Sequence, residues 1–155
     1  MKKIIILLII SCSATLWAEP IFDKAMGVTA SPIGGMGYSY RQILGKHGYQ
    51  VTGGFMQSED NTWMNIGAEY IRPIHQVSET RLNFVAGAAI WNDIKHEINE
   101  VERVQFIGMG PEVEFTFSYN MRCIVGIPFI FIYNEDIKES YVSFYPAISL
   151  MYYFQ

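Results

Sequence analysis

The stretch VSFYPAISLMYYF, residues 142–154, alternates its side chains with a period of two. Its even positions are all apolar or aromatic, whereas the odd positions include Ser143, Ala147 and Ser149. Such alternation is typical of a β-strand whose two faces lie in different environments. A helix would distribute the same residues around its surface. The pattern therefore predicts a strand with one wholly apolar face.

The same period recurs along most of the chain, between turn-rich and charged stretches. Phe115 and Phe117, for example, alternate with Glu112 and Glu114. Segments of about ten residues, joined by alternately short and longer links, are what a bacterial transmembrane barrel requires. We predict an all-β fold of about eight antiparallel strands, close to residues 24–31, 35–44, 48–57, 62–72, 80–92, 103–118, 121–133 and 140–154.

The links between these strands predict an up-and-down barrel. With the N-terminus in the periplasm, the periplasmic turns are residues 45–48, 73–79 and 119–120, and the outer loops are residues 31–34, 58–61, 93–102 and 134–139. In lipid an open sheet would leave unpaired N–H and C=O groups, which cost several kcal/mol each. A closed ring has no such edges, so closure is expected.

Length and composition limit the alternatives. The 155 residues fit one domain, and the longest apolar run after residue 18, residues 127–133, is too short for a transmembrane helix. The net charge of -4, with no basic cluster beyond the N-terminus, argues against a nucleic-acid partner. Ten Tyr, ten Phe and three Trp exceed what one small soluble core needs, whereas membrane barrels place aromatic residues at both interfaces.

The N-terminus has the features of a signal peptide. Lys2 and Lys3 precede an apolar stretch at residues 4–10, and Ala18 offers a cleavage point, which divides the chain into a signal at 1–18 and a barrel domain at 19–155. Residues 9–12, Ile-Ile-Ser-Cys, resemble the lipobox of bacterial lipoproteins, which implies lipidation of Cys12. The alternative is that Cys12 is only a small residue of the signal peptide and is removed with it.

A barrel with an apolar outer face must accept polar groups inside. The alternation assigns to the interior the charged residues Arg41, Glu69, Arg81, Glu112 and Glu114. Unpaired charges in a narrow dry interior are heavily penalised, so we hypothesise a salt-bridge network that plugs the lumen. The alternative is an ion- or proton-conducting path, although eight strands leave little more than room for side chains.

The chain resembles small outer-membrane barrels of the OmpA-like, OmpW-like and opacity-protein type. The resemblance is carried by the signal peptide, the hairpin-like run at residues 27–40 and the aromatic last strand. The resemblance implies an outer-membrane location, with lipids and the barrel-assembly machinery as partners. It also implies an assembly signal in the last strand, carried here by Tyr152 and Phe154, although the family usually ends on an aromatic residue and this chain ends on Gln155.

Two other classes of protein stay open. A soluble periplasmic barrel that encloses a lipid-like ligand, as lipocalins do, would turn the charged face outward. A lipid-modifying outer-membrane enzyme would need a catalytic group, but His47, His75 and His96 have no partner at motif spacing. We therefore expect no cofactor, no metal and no enzymatic activity, and a monomeric barrel with a structural or surface-interaction role.

Overall fold

The computed structural model describes residues 22–77, 79–96, 100–135 and 137–154. The proposed signal peptide, with Cys12, and the terminal Gln155 lie outside these ranges. The strand segments are β1 (Phe22–Ser31), β2 (Gly35–Leu44), β3 (His47–Gln57), β4 (Asn61–Val77), β5 (Thr80–Lys95), β6 (Glu100–Thr116), β7 (Met121–Gly126), β8 (Phe129–Asn134), β9 (Glu139–Phe144) and β10 (Ala147–Phe154).

These ten segments form eight barrel strands, because two of the strands are interrupted. Segments β7 and β8 both pair with β6, and β10 and β9 pair with β7 and β8 in turn. The register continues across each interruption: Gly126 faces Glu112, and three residues further Phe129 faces Met109. The interruptions fall at residues 127–128 and 145–146. Each ends in a proline, which has no N–H to donate to the ladder.

The sheet closes on itself where β1 pairs with β10. Tracing the antiparallel register from Lys24 on β1 through the seven other strands reaches Phe144. Phe144 lies ten residues before Phe154, the residue that faces Lys24 across the closing pair. Such a stagger accompanies tilted strands in a closed barrel. The prediction of an all-β, antiparallel barrel of eight strands is therefore confirmed, and the described residues include no helix that could span a membrane.

Two of the predicted links are largely strand in the structure. Most of the predicted loop 93–102 is strand, because Asp93 pairs with Glu102 and Lys95 with Glu100. The predicted turn 73–79 is largely strand as well, since β4 continues to Val77 through a bulge between Pro73 and His75. Pairing between the two strands extends both hairpins, and this pairing cannot be seen in the local sequence pattern.

Residues 31–34 are predicted as an outer loop, but in the structure Ser31 ends β1 and the turn at residues 32–34 folds into the barrel. Ile33 is fully buried and packs in an apolar cluster that includes Ile130 and Ile132 of β8. The chain returns to β2 through Gly35 and Gly37, whose φ angles of 91° and 131° suit only glycine well. Burial of the isoleucine side chain favours this inward path over an exposed loop.

Candidate functional site in the barrel interior

All five charged residues that the alternation assigned to the inside lie in the barrel interior. The set is Arg41, Glu69, Arg81, Glu112 and Glu114, each at most 6% exposed. Burial of a charged group is costly unless the group is paired and hydrogen-bonded, so the contacts of each side chain decide whether the interior is stable.

Arg41 connects β2 to the opposite side of the barrel. Its Nη2 lies 2.5 Å from Oε1 of Glu112 and 3.2 Å from Oε2 of Glu114, both on β6. Its Nη1 donates to Oε2 of Glu112 at 3.3 Å and to Oε1 of Gln50, on the neighbouring strand β3, at 3.1 Å. Two nearly parallel bonds to one carboxylate are the strong form of an arginine pair. The Arg41 side chain therefore crosses the lumen and is fixed at its far end.

Glu114 is surrounded by three guanidinium groups. Besides Arg41, its Oε1 lies 2.6 Å from Nη1 of Arg122 and 4.0 Å from Nη2 of Arg81. Arg81 is the direct cross-strand neighbour of Glu114 in the β5–β6 pair. The Arg122 guanidinium also stacks 4.0 Å from the centre of the Tyr153 ring, in a cation–π contact. The carboxylate thus joins strands from three parts of the wall.

Neutral polar side chains extend this network around the barrel. Asn83 donates to Glu112 at 2.9 Å, again from the facing position on β5. On the other side, Gln50 donates to Thr29 at 3.2 Å, and Thr29 donates to Ser149 on β10 at 2.9 Å. A continuous path of hydrogen bonds therefore runs from β5 and β6, through Arg41, to the closing strands β1 and β10.

Glu69 lies in the same interior but is held differently. Its Oε1 accepts a hydrogen bond of 2.8 Å from the hydroxyl of Ser31, and that hydroxyl accepts one of 3.0 Å from the N–H of Gly34. Among the described residues no cation forms an ion pair with Glu69. Its carboxylate therefore secures the inward β1–β2 turn, whereas the other two acidic residues bind the arginines.

Three inward-facing glycines make room for that turn. A Cβ added at Gly67 would lie 2.4 Å from the carbonyl carbon of Gly34. One at Gly108 would lie 2.8 Å from Cγ2 of Ile33, and one at Gly87 would lie 3.0 Å from the carbonyl oxygen of Ile33. The three glycines are on β4, β6 and β5 and face the turn together; we call them the glycine shelf. They allow the turn and the network to fill the lumen jointly.

The outer surface of the barrel has the opposite polarity. Phe115 and Phe117, which flank the glutamates in sequence, are 45% and 60% exposed. Other exposed apolar residues lie on strands all around the wall and include Val28, Tyr38, Val51, Ile66, Ile90, Ile107, Phe129, Phe144 and Leu150. The charged network therefore lies inside the wall, together with buried apolar clusters, whereas the exposed face of the wall is rich in apolar residues.

Some contributors to the interior were not identified from the sequence, notably Arg122 and Asn83. The hairpin register places Arg122 opposite Thr116, two positions from Glu114 and so on the same face. If the alternation is continued across the turn at residues 119–120, it therefore places Arg122 on the interior face. Asn83 follows Arg81 by two residues and could have been assigned to the interior in the same manner.

The remaining candidate residues lie apart from this network. His47 hydrogen-bonds to the Tyr70 hydroxyl, His96 lies 2.9 Å from the Thr62 hydroxyl, and His75 is exposed. The described part of the chain contains no group of three or more His, Cys, Asp or Glu side chains that could hold a metal ion. Tyr152 and Phe154 lie on the closing strand β10, where Tyr152 is exposed on the outer face.

Comparison of the chain with protein-family models, with curated proteins and with solved structures finds no match.

Proposed function

We propose that this chain is an integral outer-membrane barrel whose body anchors it in the lipid and whose filled interior closes it to ions. Its role would be structural or surface-interacting, carried by the ends of the barrel that reach beyond the bilayer. The signal peptide at residues 1–18, the lipid partners and the assembly machinery belong to the same proposal.

The observation that carries the proposal is the polarity of the two faces. Apolar side chains facing water are costly in proportion to their area, at about 25 cal/mol per Å². A soluble domain rarely exposes such residues on every side. In a bilayer the same surface is favourable, and the closed ladder leaves most backbone groups paired. The glutamates that a lipocalin-like barrel would turn toward water are instead buried here, which weighs against an enclosed lipid ligand.

The filled lumen supports an anchoring role over a pore. Arg41 spans the interior and the β1–β2 turn occupies the space over the glycine shelf. An eight-stranded barrel has an interior only wide enough for side chains, so these groups obstruct a continuous water path. We therefore expect no steady unit conductance when the protein is inserted into a planar lipid bilayer. Stable single-channel steps would favour the conducting alternative.

Cell fractionation tests the location directly. The full chain is expressed in a Gram-negative host, and the outer membrane, inner membrane and periplasm are separated. We expect the protein in the outer membrane, resistant to extraction by high salt and by carbonate, because its contact with lipid is apolar. Recovery in the soluble periplasmic fraction would overturn the proposal and favour the lipocalin-like alternative.

A further inference from the structure

The barrel wall is incomplete beside β9. Among the described strands, β9 pairs only with β8 and forms the last member of the sheet order. Strand β1 closes the barrel against β10 but ends at Ser31, and the chain then turns inward instead of continuing along β9. The outer edge of β9 therefore has no strand partner, and the wall is open at the side over this segment.

A groove of about 350 Å³ lies at this opening. Its inner end is formed by Ser31 and Pro32 of the inward turn, and its sides by Trp91, Phe106, Ile132 and Tyr141. None of the residues that line it is charged. The volume is at the lower end of the range for ligand pockets, which fits one narrow apolar chain.

The aromatic wall of the groove is held in place by its neighbours. The Trp91 ring packs on Phe106 with centroids 5.2 Å apart, and edge-to-face on Trp63 at 5.7 Å. Such aromatic pairs contribute beyond simple burial. The groove is thus a preformed feature of the barrel.

We propose that this groove holds a single hydrocarbon chain of a lipid in the surrounding bilayer, which enters sideways past the free edge of β9. The inference rests on the proposed membrane location. The groove opens beside Tyr141 and Tyr145, and the adjoining outer wall carries Phe144 and Ile148, both exposed. Aromatic residues with a polar tip favour the membrane interface, which would place the opening at the edge of the lipid.

The inner end of the groove limits what can bind. Pro32 closes it, and beneath the turn the Ser31 hydroxyl is engaged by Glu69, so a chain cannot pass on through the lumen. The polar atoms of the lining are a few hydroxyl groups and the Trp91 Nε1–H, which is buried without a hydrogen-bond partner among the described residues. No charged side chain is present to compensate an ionised group, whose burial would be costly. A linear, uncharged and apolar segment is therefore the occupant that the groove fits.

Tryptophan quenching by brominated lipid tests this inference. In the variant W17F/W63F, Trp91 is the single tryptophan. The folded protein is placed in vesicles of dibromostearoyl phosphatidylcholine and, for reference, of dioleoyl phosphatidylcholine. Although Trp91 faces inward, we expect its emission to be lost to nearly the same extent as that of a lipid-facing reporter. The matched reporter is I90W in the background W17F/W63F/W91F, because Ile90 is the neighbouring residue on the outer face.

Blocking variants separate a chain in the groove from quenching through the wall. A30F narrows the opening, and we expect it to restore most of the Trp91 emission. A88F adds the same ring at an exposed position on β5 and should leave the quenching unchanged. If A30F fails to fold, M36F narrows the groove from β2. Quenching that persists in a folded blocking variant would overturn the inference.

The two proposals fail in different ways. If the I90W reporter is not quenched, the barrel is not in contact with lipid and the membrane location fails. If I90W is quenched but Trp91 is not, the barrel is inserted and only the groove inference fails. A third outcome would also overturn the groove inference: quenching of Trp91 by free brominated fatty acid but not by brominated phospholipid. The occupant would then come from the medium and not from the bilayer.

Discussion

The Arg41 guanidinium on β2 donates two nearly parallel hydrogen bonds to the Glu112 carboxylate on β6, across the full width of the barrel interior. The Arg41 side chain is fully buried and the Glu112 side chain is only 8% exposed, so water compensates little for the loss of either charge. This pair is the centre of a network that fills the lumen, and its removal gives the strongest test of what the interior contributes to stability.

Replacement of Arg41 by methionine should strongly destabilise the barrel. The change leaves Glu112 without its main partner, and breaking a buried pair on one side typically costs about 3–5 kcal/mol. The free energy of unfolding in urea, measured with the barrel in detergent micelles, should fall by that order. R103M is the matched control, since Arg103 pairs with Glu135 at the surface with both side chains about half exposed, and should cost less than about 1 kcal/mol. Equal effects of the two variants would contradict the interior network.

Replacement of Arg81 by methionine should also lower the unfolding midpoint. Glu114 then loses the guanidinium that faces it across the β5–β6 pair. The midpoint of urea unfolding in detergent measures the effect, with K95M as control, because the Lys95–Glu102 pair lies 3.7 Å apart with both side chains about 40% exposed. An unchanged midpoint in R81M would show that this arginine does not stabilise the network.

A methyl group at Gly67 should displace the inward turn. In G67A the new Cβ meets the Gly34 backbone, and such overpacking costs about 1–3 kcal/mol. G53A on the neighbouring strand is the matched control, because its added Cβ would have no atom nearer than 4.0 Å. Thermal unfolding followed by circular dichroism should separate the two. A destabilisation of G53A as large as that of G67A would indicate a general cost of replacing strand glycines.

Loss of both aromatic residues at the end of β10 should impair assembly in the cell. The resemblance to outer-membrane barrels implies that Tyr152 and Phe154 form an assembly signal. We expect Y152A/F154A to reach the outer membrane in lower amounts, yet to refold from urea into detergent in vitro. Y119A is the control, since Tyr119 is an aromatic residue in a turn and 97% exposed. If Y152A/F154A assembles normally, these two residues are not part of the assembly signal.

The regular alternation allowed the fold class to be predicted from the sequence. Glu112, Glu114, Phe115 and Phe117 alternate cleanly, and their faces follow once one face is assigned to the inside. The direction of the faces does not follow from the pattern, because a lipocalin-like barrel has the same period with the opposite polarity. The structure supplies that direction, since the glutamates are buried and the phenylalanines exposed.

Features that depend on distant contacts could not be predicted. The inward path of residues 32–34 requires the glycine shelf on three other strands, which no local window reveals. The interruptions before β8 and β10 fall at Pro128 and Pro146, within stretches whose period is otherwise regular. The role of Glu69 likewise depends on Ser31, because the turn brings a hydroxyl to its carboxylate.

We propose that the closed barrel resides in the outer membrane. The most direct test is gel electrophoresis of the outer-membrane fraction in sodium dodecyl sulfate, with and without prior heating. A closed barrel resists the detergent until heated, so we predict a compact, faster band in the unheated sample and a slower band after heating. One mobility under both conditions, or absence of the protein from that fraction, would contradict the claim.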